Sequence, residues 1–224
     1  MAFIRPYRES DAAAIDHICR ATLPPALSAK PETVRLAPYL WARQYTYLTP
    51  QHCFVLEDPT ASPTHPSAPV NNVVGYVIGT PSIASFIESY PSYVSSVLSP
   101  DVERPAPGPP LDWELPGGGG VDPARLAQIA YDGEELLRNG GREGMCEAFP
   151  ATLHIDILEG WRNGGWGGRL VERFVGSLPE GTGVHISAAG TNTRAVPFYE
   201  RCGFRMLEGG EAMGSIWMGR PGAA

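Results

Sequence analysis

A glycine-rich segment in the last third of the chain has the residue types of an anion-binding loop. It is the run Arg162-Asn163-Gly164-Gly165-Trp166-Gly167-Gly168. A predicted strand precedes it and an amphipathic predicted helix follows it. Glycines let the backbone turn tightly and approach a ligand closely, and free N–H groups at a helix start attract phosphate oxygens. The segment therefore predicts a phosphate-binding loop, although a plain glycine-rich turn fits the glycines as well.

Two common phosphate loops are excluded by the residues present. A Walker loop needs Gly-Lys-Ser/Thr, and this segment holds no lysine. A dinucleotide fingerprint could begin at Gly165, but Leu170 stands where its last glycine belongs. Between Gly160 and Arg205 the charge is +3, whereas the whole chain carries -7. A basic segment in an acidic chain suits a local anionic ligand and argues against a nucleic-acid partner.

Residues further along the chain decide between the loop and the plain turn. The GNAT superfamily of N-acetyltransferases carries Gln/Arg-x-x-Gly-x-Gly/Ala, then Asn, Ala three later, Tyr four beyond, and a Gly-Phe pair. This chain resembles that family through Arg162-x-x-Gly165-x-Gly167, Asn192-x-x-Ala195-x-x-x-Tyr199 and Cys202-Gly203-Phe204. The similarity spans Leu153 to Phe204, with a departure at Glu159, where relatives often have proline. Within the superfamily, Leu153 to Leu158 resembles the acetyltransferase-like domain found with O-GlcNAc hydrolases.

The resemblance implies a fold and a cofactor. The fold would be α/β (α+β), with a mixed, mostly antiparallel twisted sheet flanked by helices and a V-shaped splay between the fourth and fifth strands. The cofactor would be acetyl-CoA, released as coenzyme A, with no metal. The loop would bind its pyrophosphate and the fourth strand its pantetheine arm. The implied cofactor-binding residues are Ile157, Leu158, Arg162, Asn163, Gly164, Gly165, Trp166, Gly167, Gly168, Asn192, Ala195 and Phe198.

The resemblance also implies direct transfer of the acetyl group to a primary amine in a ternary complex. Tyr199 matches the family's general acid, which protonates the departing sulfur; the alternative is a core aromatic beside Phe198. His154 and Asp156 share one face of the predicted strand, because side chains alternate along a strand. One of them would deprotonate the amine, or the two would form a buried pair that braces the sheet. Both interpretations remain open here.

The acceptor and the partners are less defined by the sequence. A small-molecule amine or a protein lysine would fit, and the chain would act as a monomer or homodimer. No apolar run approaches the roughly 20 residues of a membrane helix, so we expect no membrane partner and a cytoplasmic protein, a nuclear location also being compatible. The alternative function is a catalytically inactive acyl-CoA-binding or protein-interaction module of the same fold.

The elements that must position these residues suggest one domain, 1–224. It would contain a Pro-rich loop at 58–72 and an irregular insertion at about 81–149, with short helical patches at Ile83 to Tyr90 and Pro123 to Leu137. One helix is expected from Thr33 to Thr49. The predicted strands are Phe3 to Arg5, Cys53 to Glu57, Val73 to Gly79, Ala151 to Leu158, Val184 to Ala188 and Glu211 to Met218.

Overall fold

The computed structural model describes residues 1–61, 70–115, 119–138, 143–190, 192, 194–207 and 215–222. Its centre is a sheet of seven strands. They are β1 (Phe3–Pro6), β2 (Phe54–Glu57), β3 (Val73–Thr80), β4 (Ala151–Ile157), β5 (Val184–Ala189), β6 (Arg205–Met206) and β7 (Ser215–Arg220). The spatial order is β1-β2-β3-β4-β5-β7-β6, and only β4 and β5 run parallel.

Helices cover both faces of the sheet. They are α1 (Ala12–Ala21), α2 (Pro25–Ser28), α3 (Pro31–Trp41), α4 (Arg43–Leu48), α5 (Ile83–Tyr93), α6 (Ser99–Asp101), α7 (Pro123–Ala130), α8 (Gly133–Arg138), α9 (Glu143–Ala148), α10 (Trp166–Val175) and α11 (Ala195–Arg201). Short 3-10 turns lie at Glu9–Asp11, Pro50–His52, Val70–Asn72 and Glu159–Trp161, and a π-helical turn lies at Val94–Leu98. In the described part of the chain, no helix is long and apolar enough to cross a membrane.

The sheet separates two hydrophobic cores. On one face, Tyr76 and Ile78 of β3 pack with α1, α3, α5 and α7. On the other face, Val77 of β3 and Leu153 of β4 pack with α10 through Leu170, Val171 and Phe174. This division follows from the alternation of side chains along each strand.

The pairing between β4 and β5 is short, and this creates the opening that matters for function. The two strands pair only through Ala151 with Val184 and Thr152 with His185. The rest of β4 pairs with β3 alone, up to Ile157 opposite Gly75. The carboxyl end of β4 is therefore separated from β5, in agreement with the predicted splay.

Three predictions about the elements need correction. Beyond the two predicted helical patches, the described part of the insertion at 81–149 contains further helical turns at Val94–Leu98, Ser99–Asp101 and Glu143–Ala148, because apolar side chains such as Leu98 are buried in the first core. The single helix predicted from Thr33 to Thr49 is two helices, since the backbone at Ala42 leaves the helical region at φ -133°. The described part of the last strand, Ser215–Arg220, ends two residues beyond the predicted end at Met218.

Some predicted features fall outside the described residues. They are most of the Pro-rich loop, at 62–69, and the first part of the predicted last strand, at 211–214. The described flank of the loop, Asp58 to Ala61, forms a turn in which Asp58 accepts hydrogen bonds from Thr60.

Candidate functional site

The hydrogen-bond pattern of β4 decides which backbone groups face the splay. The amide of Leu158 donates to the carbonyl of Val74 at 2.9 Å, and the amide of Ala151 donates to the carbonyl of Gly183 at 3.1 Å. Because backbone groups alternate between the two sides of a strand, Ile155 and Ile157 direct theirs away from β3. These groups therefore line the edge from which β5 has diverged.

This geometry distinguishes Ile157 from Leu158, the two residues predicted to contact the pantetheine arm. Ile157 keeps its amide on the open edge, and its carbonyl accepts a hydrogen bond of 2.8 Å from Nε of Arg162. Leu158 has its amide bonded to Val74 and its carbonyl bonded to the Trp161 amide. The geometry does not support a backbone contact from Leu158 to a ligand. Ile155, which the sequence did not single out, takes that place.

The glycine loop leads into the first turn of α10. Gly165 precedes the helix with a φ of +74°, in the left-handed region that favours glycine. A Cβ at Gly165 or at Gly168 would have no neighbouring atom within 4 Å, so space is open above the helix start. The first N–H groups of any α-helix have no partner inside the helix, so those of α10 require partners from outside it.

The remaining loop residues pack or provide charge. Gly167 is buried, and a Cβ there would lie 2.8 Å from Cε2 of Phe198, so the missing side chain lets α10 approach α11. Trp166 is half-buried, with the Arg169 guanidinium 4.7 Å from its ring centroid. Arg162, Asn163 and Gly164 are exposed. The loop thus has two arginines beside a free helix start.

Helix α11 places Tyr199 on the inner side of the site. Tyr199 is half-buried, with edge-to-face contacts to Phe198 at 4.9 Å and Phe204 at 5.4 Å between ring centroids. Burial raises the pKa of its phenol, and the negative charge of Asp156 raises it further. Tyr199 therefore stays protonated well above neutral pH.

The start of α11 holds the other two motif residues. The carbonyl of Asn192 accepts a hydrogen bond of 3.0 Å from the amide of Ala195, which forms the turn into the helix. Asn192 is exposed and Ala195 is buried. Asn192 thus has the turn role expected as its alternative, while its side chain remains available.

His154 and Asp156 form the pair that their shared strand face predicts. Nε2 of His154 lies 2.9 Å from Oδ2 of Asp156. The same carboxylate oxygen accepts a hydrogen bond of 2.7 Å from the hydroxyl of Tyr76 on β3. The side chains of His154 and Asp156 are 34% and 22% exposed, so the pair reaches solvent rather than lying sealed in the core.

Tyr76 is a residue that the sequence did not indicate. It lies in an apolar strand, and its position opposite Asp156 depends on the register of β3 against β4. Among the described residues, no group of three or more His, Cys, Asp or Glu side chains is arranged to hold a metal ion.

Comparison with known proteins shows which solved structures are similar to this chain. No family model matches the chain. The chain is similar to the crystal structure of SsHAT, with 25% identity over 100% of this chain and 99% of that one, at a TM-score of 0.76. It is also similar to a GNAT superfamily phosphinothricin acetyltransferase from Sinorhizobium meliloti in complex with AcCoA, with 13% identity over 99% and 89% of the chains, at 0.50.

A third structure agrees with these two. It is that of histone acetyltransferase HPA2 and related acetyltransferase from Corynebacterium glutamicum ATCC 13032, with 16% identity over 100% and 97% of the chains, at a TM-score of 0.50. The chain has the fold of the GNAT acetyltransferases. The GNAT fold class predicted from Arg162, Gly165 and Tyr199 is confirmed, and the narrower link to O-GlcNAc hydrolases stays a prediction.

Proposed function

We propose that this protein is an acetyl-CoA-dependent N-acetyltransferase that transfers acetyl from the thioester to a primary amine. One observation carries the proposal. The splay between β4 and β5 has the open backbone edge of Ile155 and Ile157 on one side. The glycine loop and α10 follow directly from the carboxyl end of β4, where Asp156 lies, and Gly167 of α10 packs closely on α11, the helix that carries Tyr199. A thioester with a long amide-bearing arm and a pyrophosphate would fit such a series of features.

The pyrophosphate would bind at the start of α10. The open space above Gly165 and Gly168 admits oxygen atoms close to the backbone, and the helix dipole favours negative charge there. Arg162 and Arg169 lie beside the helix start and would add positive charge. Arg162 also braces the loop against β4 through the Ile157 carbonyl.

The pantetheine arm would lie along β4 in the place where β5 is missing. Its amide groups can exchange hydrogen bonds with the outward backbone groups of Ile155 and Ile157, as an added strand does. Asn192, Ala195 and Phe198 would border the arm from the α11 side. This arrangement would direct the thioester toward Asp156 and Tyr199.

The proton of the acceptor ammonium must be removed before the nitrogen can attack. We assign this to His154, because Asp156 is engaged by two partners while, among the described residues, Nδ1 of His154 has no hydrogen-bond partner. The nitrogen–carbon bond then forms and the carbon–sulfur bond breaks. Asp156 would orient the imidazole and stabilise its positive charge.

The departing thiolate needs a proton, and Tyr199 would supply it. Its phenol stays protonated because burial raises its pKa, so it can donate when the sulfur becomes basic. The tyrosinate formed would recover its proton from solvent in the half-exposed site. His154 and Tyr199 thereby have opposite roles in one turnover.

The acceptor would be a small-molecule amine or a protein lysine, and the enzyme a monomer or homodimer. A screen of amines and lysine peptides with acetyl-CoA, read by the appearance of free thiol, tests the proposal. We expect at least one acceptor to release coenzyme A above background hydrolysis, with an acetylated product of matching mass. Acetyl-CoA binding with no acceptor-dependent thiol release across the screen would favour the alternative, an inactive acyl-CoA-binding or protein-interaction module.

A further inference from the structure

Tyr76 is fully buried, yet its hydroxyl points at a partly exposed carboxylate. It lies at the middle of β3 with no exposed surface, directly opposite Asp156 on β4. Its hydroxyl donates to Oδ2 of Asp156 at 2.7 Å. Its ring also stacks beside the His154 imidazole, with centroids 5.9 Å apart and an interplanar angle of 29°. Tyr76 therefore contacts both members of the His154–Asp156 pair.

The donors and acceptors of this cluster allow only one arrangement of protons. A phenol has one O–H to donate, and an ionised carboxylate only accepts. Tyr76 uses its single O–H on Asp156, so Oδ2 of the carboxylate is the acceptor in this contact. The nitrogen of His154 that faces Asp156 must also carry a proton. Neutral His154 is thereby held as the Nε2–H tautomer, with the lone pair on Nδ1.

We propose that Tyr76 is a positioning residue for the His154–Asp156 pair. Its hydroxyl fixes the rotamer of the Asp156 carboxylate, and the carboxylate in turn fixes the tautomer and orientation of His154. This inference rests on the proposed function, in which Nδ1 of His154 accepts the proton of the acceptor. Without the Tyr76 hydroxyl the carboxylate can rotate, and the proton of neutral His154 is free to occupy either ring nitrogen.

Charged groups of α1 lie near the cluster. Asp16 and Arg20 act on the Cys19 thiol, which belongs to the same buried core as Tyr76, and Asp16 is paired with Arg43 at 2.6 Å and with Arg20 at 3.6 Å. Asp156 is the charged group that contacts His154, and the Tyr76 hydroxyl donates to it.

The substitution Tyr76→Phe removes the hydroxyl and keeps the ring that stacks on His154. We expect kcat to fall about tenfold to a hundredfold, the loss typical of a hydrogen bond to a charged group, while the Kd for acetyl-CoA is unchanged. Tyr90→Phe is the matched control, because the Tyr90 hydroxyl is also buried and donates to a backbone carbonyl, that of Ala130, at 2.9 Å. We expect the control to keep its kcat.

Nitrogen-15 NMR of His154 gives a readout that does not depend on turnover. The wild-type imidazole should be the Nε2–H tautomer when neutral, and Tyr76→Phe should shift it to a mixture. A wild-type Nδ1–H tautomer, an unchanged tautomer in Tyr76→Phe, or equal losses of kcat in the two Phe variants would overturn the proposal. If the wild type transfers acetyl to no amine, the proposed function fails, and the NMR result still decides whether Tyr76 orders the pair.

Discussion

At the scale of single residues, the proposed proton transfers depend on the protonation states of Tyr199 and His154. Burial and the charge of Asp156 both raise the pKa of Tyr199. The phenol is therefore protonated at neutral pH and has a proton to donate. His154 is held toward Asp156 through one ring nitrogen and keeps the other for a proton. The two side chains are therefore suited to opposite directions of proton transfer.

The substitution Tyr199→Phe tests the acid directly. We expect kcat to fall by about a hundredfold, within the range of general acid catalysis, with the affinity for acetyl-CoA retained because the ring still packs on Phe198 and Phe204. Steady-state kinetics and calorimetry measure the two quantities. Tyr93→Phe serves as the control, since it removes a buried hydroxyl bonded to the Tyr39 carbonyl in the other core. Undiminished turnover in Tyr199→Phe would remove Tyr199 from the mechanism.

The direction of the Tyr199 shift also predicts the alkaline limb of the rate profile. A raised pKa means that the protonated phenol persists to higher pH than a free phenol, whose pKa is about 10. We therefore expect kcat to show no loss from tyrosine ionisation between about pH 8 and 10. A fall of kcat in that interval, present in the wild type and absent in Tyr199→Phe, would contradict the assignment.

At the scale of elements, we propose that the edge of β4 left open by its short pairing with β5 and the start of α10 together bind the cofactor. The strand ends at Ile157, the 3-10 turn Glu159–Trp161 follows, and Gly165 turns the chain into α10. Arg162 ties the turn back to the strand. In the proposed complex, backbone groups would make most of the contacts to the ligand. Position 165 favours glycine because its backbone is in the left-handed conformation.

Replacing Gly165 by valine should disrupt cofactor binding through the turn. The side chain would occupy the open space above the helix start, and its φ of +74° is unfavourable for a β-branched residue. We expect at least a tenfold weaker binding of acetyl-CoA by calorimetry, on the order of 1.4 kcal/mol or more.

Gly181→Val is the matched control for that experiment. Gly181 has a φ of +75° and no atom within 4 Å of an added Cβ, so the backbone strain is the same. It precedes the end of β5 that still pairs with β4, away from the splay. Both variants should lose similar stability, and only Gly165→Val should lose affinity; equal affinities would reject the loop assignment.

At the scale of the whole molecule, a cluster of ion pairs joins the edge of the sheet to the turn ahead of α1. Arg5 of β1 makes this connection: it binds both carboxylate oxygens of Asp11, ahead of α1, and Glu57 of β2. Burial by itself would raise the pKa of Asp11, but hydrogen bonds from Arg5 and the Arg8 amide lower it overall. The ionised form of Asp11 therefore stabilises the folded protein.

Asp11→Asn should destabilise the protein in a pH-dependent way. A carboxyl group whose pKa is lowered on folding contributes stability above its unfolded pKa of about 3.9 and loses it as pH falls through the folded value. We expect a loss of about 1–3 kcal/mol at neutral pH, measured by urea unfolding, with the difference from wild type shrinking below about pH 4.

Glu172→Gln provides the comparison for the Asp11 substitution. Glu172 pairs with Arg220 but is 59% exposed, and exposed ion pairs contribute about 1 kcal/mol or less. It should therefore change the free energy of unfolding much less than Asp11→Asn. Equal losses from the two substitutions, or a pH-independent loss in Asp11→Asn, would contradict the structural role of Asp11.

The sequence predicts the last third of the chain better than the remainder, for a physical reason. The loop, α10 and α11 are encoded by local spacing, and the shared face of His154 and Asp156 follows from alternation along one strand. The position of Tyr76 and the choice of Ile155 over Leu158 depend on how β3 and β4 are registered, which is a non-local property. Within 81–149 the sequence indicates helical patches at Ile83 to Tyr90 and Pro123 to Leu137. It does not indicate the further helical turns near them, whose apolar side chains are buried by contacts with distant helices.

The central claim is that the splay between β4 and β5, with the start of α10, is an acetyl-CoA site. Isothermal titration calorimetry of the wild-type protein with acetyl-CoA tests it most directly. We expect saturable binding of one acetyl-CoA per chain with a Kd in the micromolar range. Absence of binding at millimolar acetyl-CoA, with the protein shown to be folded, would contradict the claim.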